Sequence, residues 1–257
     1  DQAFLDAFLP SVQAAGDYLL REIHENGLLC SVPAGDDRFG ITSWRNIIPD
    51  TVLAGEVTEI NALTAQALRQ TAQLTGEARY ADGAGRIAQA ISRELWTGEH
   101  FALNRFEGRL DANITGDNLF PILTGIADAA QRKKVLARLS EPDFWTPRGM
   151  RTVPNTSPIY HPNRGFGLVG GSWPNLTLWY AVAVAQDDPD RALAALDMVA
   201  QPVVRASDPA ANVIHGEFPE FFDGDTGANG GMHLSPWVAP TFIWAVLEGL
   251  LGLTWQD

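Results

Sequence analysis

The chain has 257 residues, 18 Lys and Arg against 31 Asp and Glu for a formal charge of −13, and 46% apolar positions. That apolar share supports a buried core, and 19% charged positions are too few for a disordered chain. An acidic chain lacks the cationic footprint that phosphate backbones and anionic lipids require, so neither nucleic-acid nor membrane partners are expected.

Phe4, Leu5, Phe8, Leu9, Val12, Ala15, Leu19 and Leu20 recur at three- and four-residue spacing and predict one face of an amphipathic helix. The single cysteine, Cys30, excludes a disulfide framework and reads as a small buried hydrophobe. A second helix starts near Thr58 and stops at Gly76, and a third runs from Tyr80 through Trp96. Further helices are predicted at Leu119 to Asp128, Ala129 to Leu139, Asn175 to Ala185, Arg191 to Val204 and Val238 to Leu251. No Asn-Gly or Asp-Gly turn joins two alternating apolar runs, so a sheet-based core is not supported and the class is all-α. The apolar stretch from Trp237 to Leu253 is broken by Pro240 and Glu248 and is shorter than the ~20 residues that span a bilayer, so it reads as a buried helix. No basic region followed by an apolar one opens the sequence, and a cytoplasmic location is expected.

Most Gly, Pro, Trp and His residues fall in long connections, which carry the candidate chemistry. Trp44, Arg45, Asn46 and Asp50 combine a flat apolar face with polar groups suited to sugar hydroxyls; the alternative is a loop anchored by Trp44 and capped by Asp50. Between His215 and Asp225 four carboxylates stand among aromatics, so one of them could be desolvated and accept a proton, unless the run is an acidic surface turn. Asp223, Asp225 and Asn229 resemble a calcium loop only faintly, since a closing Glu is missing. Arg151 could pair with a carboxylate at the site or neutralise a structural one, and Pro174 suits the first turn of a helix. The five histidines show no ligand spacing and no phosphate-cradling motif occurs, so no metal or cofactor is expected. A two-carboxylate glycosidase is the leading reaction class.

Seven segments, in order, resemble the catalytic (α/α)6-barrel domain of amylo-α-1,6-glucosidase, of glycogen-debranching type. The wider group of inverting α-glycosidases includes processing α-glucosidase I and mannosylglycerate hydrolase. They are Trp44-Arg45-Asn46 ahead of Glu56 to Leu63, Asp117 to Asp128, Gly149-Met150-Arg151-Thr152, Gly171-Ser172-Trp173-Pro174, Pro219-Glu220-Phe221-Phe222-Asp223-Gly224 and Ser235-Pro236-Trp237. The resemblance implies a toroid of paired helices with loops forming a pocket at one end. It also implies one domain over 1–257 that looks like the C-terminal two thirds of a barrel, whose missing N-terminal part or a companion chain would cover the apolar faces of Ile60, Leu63 and Val238 to Leu251. By the same match Glu220 takes the general base's place. The family's acid is the Asp of Trp-Lys-Asp, where this sequence has Asn46, and an amide is far too weak an acid to protonate a leaving group. An engineered change, a natural loss of hydrolysis and a shifted acid such as Asp50 are the three explanations. Trp44, Trp173 and Trp237 are expected as sugar platforms, and Arg45, Glu59 and Arg151 as polar contacts to a carbohydrate substrate. The alternatives are a carbohydrate-binding or regulatory module that lacks the acid, and a purely structural helical repeat.

Overall fold

The computed structural model describes residues 2–31, 43–45 and 53–253. It divides into two compact units, residues 1–113 with 120–132, and residues 114–119 with 133–257. Among the described residues no helix is long and apolar enough to cross a membrane.

The first unit is built on α1 (Gln2–Arg21), α2 (Thr58–Thr75) and α3 (Ala78–Glu94). Gly76 ends α2 with φ 72°, and its N–H closes on the Ala72 carbonyl, which is the glycine stop read from the sequence. Ala62, Ala65, Leu68, Tyr80, Ile87 and Ile91 are buried between α2 and α3. Small residues set the approach of α1: a Cβ on Gly16 would lie 2.7 Å from the Tyr80 ring, and one on Gly83 would lie 2.4 Å from Leu20. The inward face expected for α1 is only partly realised, because Phe4 and Phe8 are 63% and 52% exposed and Gly16 is the buried residue of this helix.

Three short antiparallel strands, β1 (Glu56–Val57), β2 (Asn104–Phe106) and β3 (Arg109–Asp111), edge this unit. Glu107 and Gly108 join β2 to β3 with φ 49° and 76°, the positive pair that a two-residue hairpin needs to match strand twist. Glu at the first turn position hides this hairpin from a motif search. Cys30 is exposed, contrary to the buried reading: Leu28 and Leu29 point inward and Cys30 turns out before Ser31 pairs with Gly55. Partial desolvation and the Glu56 carboxylate push its thiol up, so exposure does not bring thiolate reactivity.

Next in the chain come α4 (Leu119–Leu123) and α5 (Ala129–Leu139). The helix expected to reach Asp128 ends early, because Gly125 takes φ 65° and the N–H groups of Ile126 and Ala127 both turn back onto the Pro121 carbonyl. A two-rung hairpin follows, β4 (Trp145–Thr146) with β5 (Gly149–Met150). Helix α6 (Pro174–Val184) begins with Pro174 in its first turn and is buried along nearly its whole length, as a helix that is apolar on all sides apart from Asn175 and Thr177 must be. Asp188 caps α7 (Pro189–Val204) by accepting the Arg191 N–H. The last helix, α8 (Val238–Trp244), continues into a π-helical turn over Ala245–Leu250 rather than as one uniform helix. Helices therefore form the frame of both units and the strands only staple loops, the all-α class that the periodicity predicts.

Candidate active site

The Glu220 segment passes between two neighbours. On one side the Glu220 N–H donates to the Met232 carbonyl at 2.9 Å and the Ser235 N–H to the Phe218 carbonyl at 2.8 Å. On the other, Ser172 and Phe222 exchange both backbone bonds at 2.8 Å. Phe221 follows Glu220 and packs into the core. There its ring stacks on Trp173, with centroids 5.4 Å apart and planes 13° from parallel. Both rings are buried, and Trp173 Nε1 donates to the Gly167 carbonyl at 3.2 Å.

The Glu220 carboxylate is half-buried. Its Oε2 accepts the Met232 N–H at 3.1 Å, while Oε1 carries no hydrogen bond among the described residues. Gly231 makes this possible: a Cβ there would stand 2.7 Å from Glu220 Oε2 and 2.8 Å from its Cβ. The Gly230-Gly231 pair is a signal in the sequence that the motif reading did not use.

Arg151 lies behind the same segment, buried, with its forked donors directed at backbone carbonyls. Nε and Nη2 reach the Gly224 carbonyl at 3.2 and 2.9 Å, and Nη1 donates to the carbonyls of Asp143, at 3.3 Å, and Trp145. It fastens the turn that follows Glu220 to the β4–β5 hairpin. Gly224 packs just as closely, since a Cβ there would lie 2.1 Å from the Gly170 carbonyl oxygen. In that turn desolvation pushes Asp223 up, but the N–H groups of Thr226 and Asp225 on its Oδ1 outweigh it and hold the carboxyl below its ordinary value. Asp223 thus makes an Asx-type turn, the acidic-turn alternative to a desolvated proton acceptor at this position, and among the described residues no group of three His, Cys, Asp or Glu could hold a metal ion. The Tyr160 hydroxyl donates to Asp225 Oδ1 at 2.6 Å; burial, then this bond, push its pKa up to about 12. Glu217 and His233, which flank this segment, approach at 3.1 Å. Trp237 stands at the start of α8, 41% exposed.

Within the first unit, Trp44, Arg45 and Glu59 come together. Glu59, in the first turn of α2, is buried and accepts the Ser43 hydroxyl at 2.6 Å and the Trp44 N–H at 3.1 Å on Oε2. An anion in the first turn is also favoured by the helix dipole. The fully buried Arg45 guanidinium sits 5.0 Å from the centre of the Trp44 ring. Glu59, expected at the substrate, therefore holds the loop backbone that presents Trp44. Asn46 and Asp50, the two candidates for the acid, lie outside the described residues. A buried carboxylate that was not singled out as a site residue, Asp117, accepts the Thr115 hydroxyl at 3.0 Å.

The model of the mannosylglycerate hydrolase MGH1-like glycoside hydrolase domain matches residues 1–245. No curated protein matches the chain. Among solved structures, a sialidase aligns with a TM-score of 0.71 at 16% identity, covering 100% of this chain and 25% of its own. A GH78 family rhamnosidase of a Bacillus species aligns with a TM-score of 0.61 at 19% identity, over 95% of this chain and 24% of its own. The GH63 mannosylglycerate hydrolase from Thermus thermophilus, in complex with Tris and D-glycerate, aligns with a TM-score of 0.57 at 20% identity, over 74% and 46%. At such identities the likeness is one of fold, and this chain spans from a quarter to just under half of those proteins' length. The chain belongs to the family of mannosylglycerate hydrolase MGH1-like glycoside hydrolase domains.

Proposed function

We propose that this domain is the helical catalytic part of an inverting hydrolase for an α-linked glycoside, an α-glucoside or an α-glucan branch, with Glu220 as general base. The observation that carries the reading is the asymmetry of the Glu220 carboxylate: one oxygen is held by the Met232 N–H and the other is left to receive a water proton. A base fixed in this way meets its water without reorganising. In an inverting reaction the acid stands ~6.5–9.5 Å across the sugar from the base, leaving room for that water. The segment from Trp44 to Asp50 is the proposed acid side, with Asp50 taking the proton-donor role that Asn46 cannot fill. Trp44 and Trp237 offer ring faces to the sugar, with Arg45 and Glu59 shaping the loop that carries Trp44. Trp173 and Arg151 support Glu220 from behind. The family name adds a mannoside with glycerate as its aglycone to the substrates worth testing. Leu63, Ile243, Leu247 and Leu251 are each more than a third exposed, which supports a companion segment over these helix faces.

Asn46 itself favours a second reading, a carbohydrate-binding module that has lost turnover. Hydrolysis of aryl α-glucoside, an α-1,6-linked glucan and mannosylglycerate by the native chain, Glu220→Gln and Asn46→Asp separates the two. Release of sugar that Glu220→Gln abolishes and Asn46→Asp raises supports the hydrolase. Sugar binding without turnover in every variant supports the module.

A further inference from the structure

We propose that His233 is a positioning residue for Glu220: paired with Glu217 and Asn229, it fixes the backbone whose Met232 N–H holds the Glu220 carboxylate. The inference rests on the reading of Glu220 as general base and deepens it. Glu217 stands three residues before Glu220 and His233 directly after Met232, so this side-chain pair joins the same two segments as the backbone bonds at Glu220 and Ser235.

One ring nitrogen has two claimants. Asn229 Oδ1 accepts the Gly231 N–H at 3.0 Å, which orients the buried amide and turns its Nδ2 toward His233 Nδ1 at 3.3 Å. Glu217 Oε2 lies 3.1 Å from the same nitrogen. It is shut off from solvent, and among the described residues no hydrogen bond reaches it apart from the one that a proton on Nδ1 would make. Nδ1 can serve only one of them. As a lone pair it accepts from Asn229 and strands the carboxylate oxygen; as N–H it donates to Glu217 and strands Asn229 Nδ2. A hydrogen bond to a charged group is worth about 1.5–3 kcal/mol against about 0.5–1.5 kcal/mol for a neutral one, and a stranded charge costs more than a stranded amide. The proton therefore belongs on Nδ1, facing Glu217, as a carboxylate commonly sets the tautomer of the imidazole beside it. The consequence for Glu220 lies in what the pair brackets. The Gly231–Met232 peptide supplies the N–H on Glu220 Oε2, and it is held ahead by Asn229 Oδ1 and behind by Glu217 through His233. Met232 and Leu234 are 43% and 65% exposed and Gly231 has no side chain, so His233 is the side chain by which this stretch is tied down.

Nitrogen NMR of the His233 ring and hydrogen exchange at the Met232 amide test this in the whole chain, comparing the native protein, Glu217→Gln and the double change Glu217→Leu with His233→Leu, which leaves no buried charge unpaired. The native ring should carry a proton on Nδ1. Met232 exchange should run about tenfold faster in the double variant, with the amides of α6 unchanged. Glu217→Gln, whose amide oxygen can still accept from Nδ1, should restore most of the protection. None of these readouts needs turnover. Where the chain cleaves aryl α-glucoside, kcat should fall about tenfold in the double variant with KM near its native value, and recover in large part in Glu217→Gln. A ring without a proton on Nδ1, Met232 exchange unchanged in the double variant, or a rise shared by α6 each overturns the proposal, as does an unchanged kcat beside a freed Met232 amide. The expected ring and exchange results in a chain that cleaves no glycoside refute the hydrolase reading alone.

Discussion

The ring of Trp173 lies flat on that of Phe221, 5.4 Å from centre to centre, so the residue next to Glu220 is clamped by the residue just before α6. The stack ties the Glu220 segment to the largely buried helix α6. Phe221→Ala removes a fully buried ring and should cost about 3–5 kcal/mol, read as a lower melting temperature. Phe221→Leu, which keeps more of the volume, should cost less. Equal melting temperatures for Phe221→Ala and the native chain would show that the stack is not formed.

Gly231→Ala is expected to push the Glu220 carboxylate off the Met232 N–H, because the new methyl would start 2.7 Å from Oε2. Overpacking of this size costs about 1–3 kcal/mol. In an active chain, kcat should fall with KM little changed, since the proposed base and not the sugar surface is displaced. An unchanged kcat would mean that this pose does not matter.

Acid should destabilise the first unit through one arginine. Desolvation pushes Glu56 up, but its bonds to Arg105 and Asn26 hold it below its ordinary value, while Arg93 and Arg105 lower Glu94. Arg105 reaches both carboxylates, the Glu94 oxygen at 2.6 Å. Because the folded values lie below the unfolded ones, this stability is fully present above the ordinary glutamate value of 4.5 and is lost as pH falls through the folded values. Melting temperatures recorded from about pH 6 to about pH 3 should fall less steeply in Arg105→Gln. A slope identical to that of the native chain would refute the linkage.

Tyr160 should respond at the opposite end of the scale. Burial first, and then its bond to Asp225, push the phenol from 10.0 up to about 12. A raised folded value contributes stability that is complete below pH 10.0 and disappears as pH rises through about 12. Because Tyr80 is also pushed up to about 12, by burial and its bond to Asp17, spectrophotometric titration should show two late-ionising tyrosines, of which one is missing in Tyr160→Phe, and that variant should lose about 1 kcal/mol at neutral pH.

Much of this was legible in the sequence because helices announce themselves by period. The 3.6-residue spacing gave α2, α3 and α5 to α7 their places, and Gly76 its stop. The strands escaped because pieces of two or three residues are too short to show alternation, and because Glu107 makes a positive-φ turn that favours other residue types. Cys30 was misjudged for want of the local turn that sends it outward. The Glu220 motif was visible as a run of residues, but the groups that hold it were not. Its partner is a backbone N–H twelve residues on, and Arg151 is met by carbonyls, atoms that every residue carries and no composition reveals.

Among the described residues both hydrogen bonds of Glu220 are made with Met232, far along the chain from Asn46. A defect confined to leaving-group protonation should therefore leave water activation intact. An α-glycosyl fluoride departs as fluoride without needing a proton, so such a donor should be consumed by the native chain even where an alkyl glycoside persists.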